Sequence, residues 1–193
     1  MAAEIASLDG FADVLLIRPK RIGDARGYFC ETYRESELAA HGVHVRWVQE
    51  NESLSARKGT LRGLHFQTPP HPQAKLVRCV TGTIIDVVVD IRPGSKTFGK
   101  HAKVELSGDN GWQLYIPEGF AHGFCTLTDA CMLAYKTSDY YAPACDAGIA
   151  YDDPALGIDW PFAARDLIVS DRDRTLPRLE TITGAMAHEA GGA

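Results

Sequence analysis

Apolar residues in this chain come in short alternating runs rather than at helical spacing, and the densest pattern spans residues 59–92. There Val, Ile and Leu are interrupted by Arg62, His65, Lys75 and Arg78, which predicts three half-buried strands. Elsewhere the pattern predicts strands over Val14 to Ile17, Tyr28 to Tyr33, Val43 to Gln49 and His101 to Leu106. Further strands are expected over Gln113 to Ile116, Gly123 to Thr128 and Cys131 to Lys136. Glu35 to Ala40 reads as a short helical patch ended by His41-Gly42. Gly23 to Gly27 and Gly108 to Gly111 are turn signals, and Asn51 to Gly59 reads as a polar loop. Residues 154–177 look irregular, with a short helix near Phe162–Asp166. Residues 1–10 read as an arm and 181–193 as a loose tail. Turns recur about every ten residues, the rhythm of a sandwich or barrel. The expectation is one domain over 1–193, mostly β and antiparallel, built as a jelly roll.

Residues two apart on a strand share a face, so Leu61, Gly63 and His65 fall on one side and Arg62, Leu64 and Phe66 on the other. Arg62 and His65 reach one pocket only if a bulge or twist near Gly63 resets the alternation, and glycine permits one. Cations and an imidazole held on strands in this way suggest a pocket for an anion.

Composition narrows the field. Hydrophobic content of 45% and charged content of 23% are ordinary for a globular chain. A net charge of −5 gives no general attraction to nucleic acid or an anionic membrane, so neither is an expected partner and any anion site is local. No apolar run approaches the length of a membrane span, and no signal-peptide pattern opens the chain, so the expected location is the cytoplasm. Cys30, Cys79, Cys125, Cys131 and Cys145 show no Cys-x-x-Cys spacing and are expected as free thiols.

A second anchor runs from Gly111 through Pro117 and Gly119 to His122, with the spacing Gly-x5-Pro-x-Gly-x2-His. It resembles the second motif of the cupin superfamily, small β-barrels in which that His points inward. Metal-binding cupins supply His-x-His from the first motif, whereas here the place reads His65-Phe66-Gln67. An amide oxygen is a poor substitute for imidazole, so the barrel is expected without a metal centre. Taken alone, His65 or His122 would be a satisfied structural histidine about half the time. Inward strands of a small barrel converge on one cavity, however, and unpaired buried cations are costly.

Several motifs in register carry a more specific resemblance. Gly23-Asp24-Ala25-Arg26-Gly27, Phe29-Cys30-Glu31-Thr32-Tyr33, Val48-Gln49-Glu50-Asn51 and Leu61 through Gln67 are followed by Lys75 through Cys79, Val87 through Arg92, Ile116 through Phe124 and Tyr135 through Tyr141. Together they resemble the dTDP-4-dehydrorhamnose 3,5-epimerase family over roughly residues 14–177. The resemblance implies an isomerase that inverts C3 and C5 of a dTDP-linked 4-keto-6-deoxyhexose, making dTDP-4-dehydro-L-rhamnose from dTDP-4-dehydro-6-deoxy-D-glucose. It implies no cofactor and no metal, because the C4 ketone itself acidifies the neighbouring C–H bonds. It also implies a homodimer.

Residue by residue, the resemblance makes His65 the base, Asp173 of Ser170-Asp171-Arg172-Asp173 its carboxylate partner, and Tyr135 the acid on the opposite sugar face. Lys75 matches the position that stabilises the enolate oxygen. Arg26, Glu31, Gln49, Glu50, Asn51, Arg62, His122, Tyr141, Asp146 and Arg172 match substrate-contacting positions. Asp146 stands where many relatives carry Glu, Arg172 where Lys is common, and Glu50 where Asp is usual; each keeps its charge sign. Three other readings remain at this stage: an epimerase of one carbon only, a metal-dependent cupin and a non-catalytic sugar-binding cupin. Gln67 speaks against the metal enzyme, and the filled His65, Tyr135 and Asp173 positions against the binder.

Overall fold

A computed structural model of the chain describes residues 3–182. Its strands form two facing antiparallel sheets. The first runs in the order β1 (Glu4–Leu8), β2 (Phe11–Arg18), β10 (Gln113–Ile116), β7 (Lys75–Thr81), β12 (Cys131–Thr137) and β5 (Gln49–Ser55). The second runs β13 (Asp146–Gly148), β6 (Thr60–Gln67), β11 (Phe120–Thr126), β8 (Thr83–Asp90) and β9 (His101–Ser107), with β14 (Ile168–Val169) pairing β6 in parallel. This is the mostly β, jelly-roll-like barrel that the spacing of turns predicts. Inward residues of both sheets interdigitate between them: Val77 and Leu133 from the first meet Ile84, Val88 and Phe124 from the second. Phe11 and Phe120 close the gap edge to face, 5.5 Å between centroids.

A separate hairpin, β3 (Arg21–Asp24) and β4 (Gly27–Cys30), pairs only with itself among the described residues. Arg21 anchors it to the turn between β9 and β10, donating to Gly108 O at 2.6 Å and to Asp109 O at 2.5 Å. The helices are small: α1 (Glu35–Ala39), a 3-10 turn at Ala164–Asp166, and α2 (Asp171–Arg174).

The region around Gly63 behaves as the alternation requires. His122 pairs with His65, but Phe124 pairs with Arg62, so three steps on β6 face two on β11. That extra residue is a bulge, and it turns Arg62 and His65 toward the same cavity. Gly63 takes a φ of 138°, and a Cβ there would lie 2.5 Å from Gly123 Cα, so only glycine fits.

Some expectations need correction. The segment read as an arm contains β1, whose residues pair with β2 as an edge strand. Residues 43–48 run without strand pairing, although a strand was expected from Val43. The strand begins instead at Gln49, the last residue of that expected run, and continues to Ser55 through the stretch that reads as a polar loop. β5 is polar on both faces because one face meets solvent and the other a polar cavity, so no apolar alternation marks it. Of the expected loose tail, Thr181 and Ile182 belong to a helical turn and Ile182 packs on the core, while residues 183–193 lie outside the described residues.

Candidate active site

Between the sheets lies a cavity of about 630 Å³, open to solvent and lined by strands of both. One wall is β6 and β11 of the second sheet, where His65 and His122 are direct register partners. Such partners bring their side chains side by side. Each imidazole is held by a carboxylate on its far side. His65 Nε2 lies 2.8 Å from Asp173 Oδ1. His122 Nε2 lies 3.0 and 2.9 Å from the two oxygens of Asp86. A carboxylate only accepts, so Nε2 carries a proton in both rings, which in the neutral form leaves the lone pair on Nδ1.

Asp173 comes from α2. Ser170 caps that turn by accepting from Asp173 N at 3.1 Å, and Gly63 N donates to Asp173 Oδ2 at 3.2 Å. Burial alone would raise the carboxyl, but His65, the Gly63 N–H and Ser170 together hold it below the ordinary range. Asp173 therefore stays an anion against the ring it orients.

The facing wall belongs to β7, β12 and β5 and carries Lys75, Tyr135, Gln49 and Asn51. Lys75 is buried, and its Nζ donates to His65 O at 3.2 Å. Burial pushes it down to about 8, a fall that the charges of Asp86 and Asp146 limit. Burial raises the Tyr135 phenol, against a smaller opposing effect of Arg62, so the hydroxyl keeps its proton at neutral pH. Arg62 is itself fixed on β5, donating to Ser55 Oγ and Leu54 O, each at 3.2 Å. At the rim, Asp146 accepts from Tyr141 OH at 3.0 Å and pairs with Arg172 at 2.7 Å.

The cavity thus gathers His65, Lys75, Tyr135, Asp173, Arg62 and His122, with Gln49, Asn51, Tyr141, Asp146 and Arg172. Three expected residues are not brought to it. Glu50 lies between Gln49 and Asn51 on β5, so the strand's alternation sends it outward, where it pairs with Lys136 at 2.7 Å. Arg26 pairs with Asp24 at 2.5 Å on the separate hairpin, and Glu31, just beyond β4, pairs with Arg34 at 2.7 Å. Asp86 was not singled out from the sequence. Its only signal is a lone acid inside the apolar run Ile84 to Val89, where a strand would bury it. Among the described residues, no group of three or more His, Cys, Asp or Glu side chains is arranged to hold a metal ion.

The model of the dTDP-4-dehydrorhamnose 3,5-epimerase family matches residues 9–181. The chain belongs to that family. It is 50% identical over 169 residues to the dTDP-4-dehydrorhamnose 3,5-epimerase of Methanothermobacter thermautotrophicus, spanning 87% of this chain and 89% of the relative. It is 49% identical over 168 residues to that of Sinorhizobium fredii, spanning 87% and 86%. Among solved structures, the epimerase of Legionella pneumophila in complex with dTDP-4-keto-L-rhamnose superposes with a TM-score of 0.90 at 40% identity, covering 95% of this chain and 96% of that one. The pairing of β6 with β11 that sets His65 beside His122 is thus found in a chain whose family acts next to a sugar ketone.

Proposed function

We propose that this chain, as one domain, inverts C3 and C5 of dTDP-4-dehydro-6-deoxy-D-glucose to give dTDP-4-dehydro-L-rhamnose, in dTDP-L-rhamnose biosynthesis. One observation carries the mechanism: His65 and Tyr135 lie on facing sheets of one cavity. A sugar ring between them has a base on one face and an acid on the other, which inversion requires.

His65 Nδ1 takes the proton from the carbon beside the ketone. The C–H electron pair moves into the ring, and the C4 oxygen becomes an enolate. Lys75 stabilises that negative charge, and His122, beside His65, adds to this in its protonated form. As the enolate collapses, Tyr135 returns a proton to the same carbon from the other face. Solvent then reprotonates the phenolate and takes the proton from the imidazolium. No net oxidation occurs, so no electron carrier is consumed. Arg62 and Arg172 suit the diphosphate, because a guanidinium grips two oxygens at once. Gln49, Asn51, Tyr141 and Asp146 contact the substrate around them.

Arg26 and Glu31 fit this reading if the protein is a homodimer. The β3–β4 hairpin carries Tyr28 and Phe29 at 60% and 64% exposure, an exposed aromatic pair on a hairpin tied to the barrel through Arg21. Placed in the cavity of a second copy, the hairpin would add both residues to that copy's site. Five free cysteines suit a reducing compartment, in line with a cytoplasmic location.

The test is incubation with the 4-keto sugar in D2O, followed by NMR. Deuterium at both C3 and C5 of an L-configured product is expected. Label at one carbon alone would make the chain a single-position epimerase, and a folded protein with no exchange would refute the reading.

A further inference from the structure

Gln67 occupies the place where metal-binding barrels of this kind put a second histidine, and its side chain is fully engaged elsewhere. It is buried, two residues along β6 from His65, and it lines the cavity. Its amide nitrogen donates to His71 O at 2.7 Å and to Tyr140 O at 3.2 Å. Its amide oxygen accepts from Ala142 N at 2.8 Å. One side chain thus joins the loop after β6 to the loop after β12. Both N–H groups are used, and the acceptor binds the residue directly after Tyr141. From the other side, Gln49 Oε1 accepts from Tyr141 N at 3.0 Å.

Tyr141 lines the cavity yet is 55% exposed, so it stands at the mouth. The reacting sugar must lie deep, against His65 and Lys75, and whatever is attached to it leaves past Tyr141. A tyrosine in a loop holds a ligand well only if its backbone is already fixed, since ordering it at binding costs affinity. We infer that Gln67 is a positioning residue that sets Tyr141 for the nucleotide end of the substrate, and that it takes no part in proton transfer. This rests on the reading that the cavity takes a nucleotide-linked sugar.

The discriminating variant is Gln67→Glu, which keeps length and acceptor but loses both N–H donors. The first measurement is binding of dTDP alone by calorimetry. The second is deuterium wash-in at saturating keto sugar, which reads the chemical step. Gln67→Glu should weaken dTDP binding by about fivefold or more while wash-in falls by less than about threefold. Tyr141→Ala should also weaken dTDP, and adding Gln67→Glu to it should cost less than about twofold more, because the pair acts as a unit. A loss of wash-in with unchanged dTDP affinity would overturn the inference, as would independent, multiplying effects of the two substitutions.

A third measurement uses the wild-type protein and stands whether or not the variant folds. The Ala142 amide should be protected from hydrogen exchange without nucleotide, and an unprotected Ala142 would sink the tie itself. If wild-type protein fails to bind dTDP, the nucleotide reading fails. The Ala142 protection still reports separately on the tie.

Discussion

His122 and Asp86 sit on neighbouring strands of one sheet, 36 residues apart in sequence, with the carboxylate fully buried. His65, on the next strand, draws its carboxylate from a helical turn 108 residues later. The His122 side chain is 11% exposed and that of His65 29%. The first pair is set by strand register and keeps its geometry as long as the barrel stands. The second exists only when a later segment docks on β6. The difference also assigns the labour. A base must hand its proton to solvent in every turnover, which favours the more open ring, whereas a group that only steadies charge gains from exclusion of water.

The largest expected effect separates the two rings. His65→Ala should lower deuterium wash-in by about 10³-fold or more, and His122→Ala by about 10- to 100-fold. Equal losses in wash-in would break the division between base and charge stabiliser.

The carboxylates should divide between rate and stability. Asp173→Ala should act mainly on kcat. Asp86→Ala leaves a poorly exposed imidazole without its partner, so it should also cost about 1–3 kcal/mol in denaturant unfolding. The reverse split would show that the pair built within the sheet is the catalytic one.

Next in size is a pH effect. Lys75 must be charged to steady an enolate, and its value of about 8 puts loss of that charge just above neutrality. The rate should fall above pH 8. Asp86→Asn removes a charge that favours the protonated amine, so the alkaline limb should move to lower pH. Asp173→Asn should leave the limb in place. Because the fold disfavours the ammonium, Lys75 lowers stability at pH 7. Lys75→Met should therefore raise it by on the order of 1–3 kcal/mol while removing activity, and the gain should shrink as pH climbs from about 8 toward 10.5.

The smallest effect sharpens the docked pair alone. Ser170→Ala removes the cap of α2 and should cost about 1 kcal/mol locally, lowering wash-in severalfold through Asp173. No change in wash-in would mean that the turn holds Asp173 without its cap.

Much of the barrel was legible because apolar alternation and turn residues act locally. β6, β7 and β8 follow from their Val, Ile and Leu content. β5 did not, since Gln49, Asn51 and Ser53 face a polar cavity and leave no apolar face to read. Within the site, the spacing of Arg62 and His65 tied a shared pocket to a bulge or twist near Gly63. The partnership of His65 with Asp173 was out of reach of pattern alone, because no periodicity links a strand to a turn so far along the chain; only the family motif suggested it. Asp86 carried the opposite difficulty, being close in sequence but resembling a stray acid in a buried strand.

The docking of residues 168–179 also has a consequence for how the protein is made. A ribosome that has released the chain only as far as Leu167 has already supplied β1 to β13, both imidazoles, Lys75 and Tyr135. It has not supplied β14, the Ser170 cap or Asp173, nor Leu179, whose N–H donates to the buried Asp153. Folding of the barrel can thus run ahead of activity during synthesis, and the base acquires its partner only after β1 to β13 have been made. Turnover therefore reports that residues 168–179 have docked, and a product truncated before them would lose most of its activity even with a sound barrel.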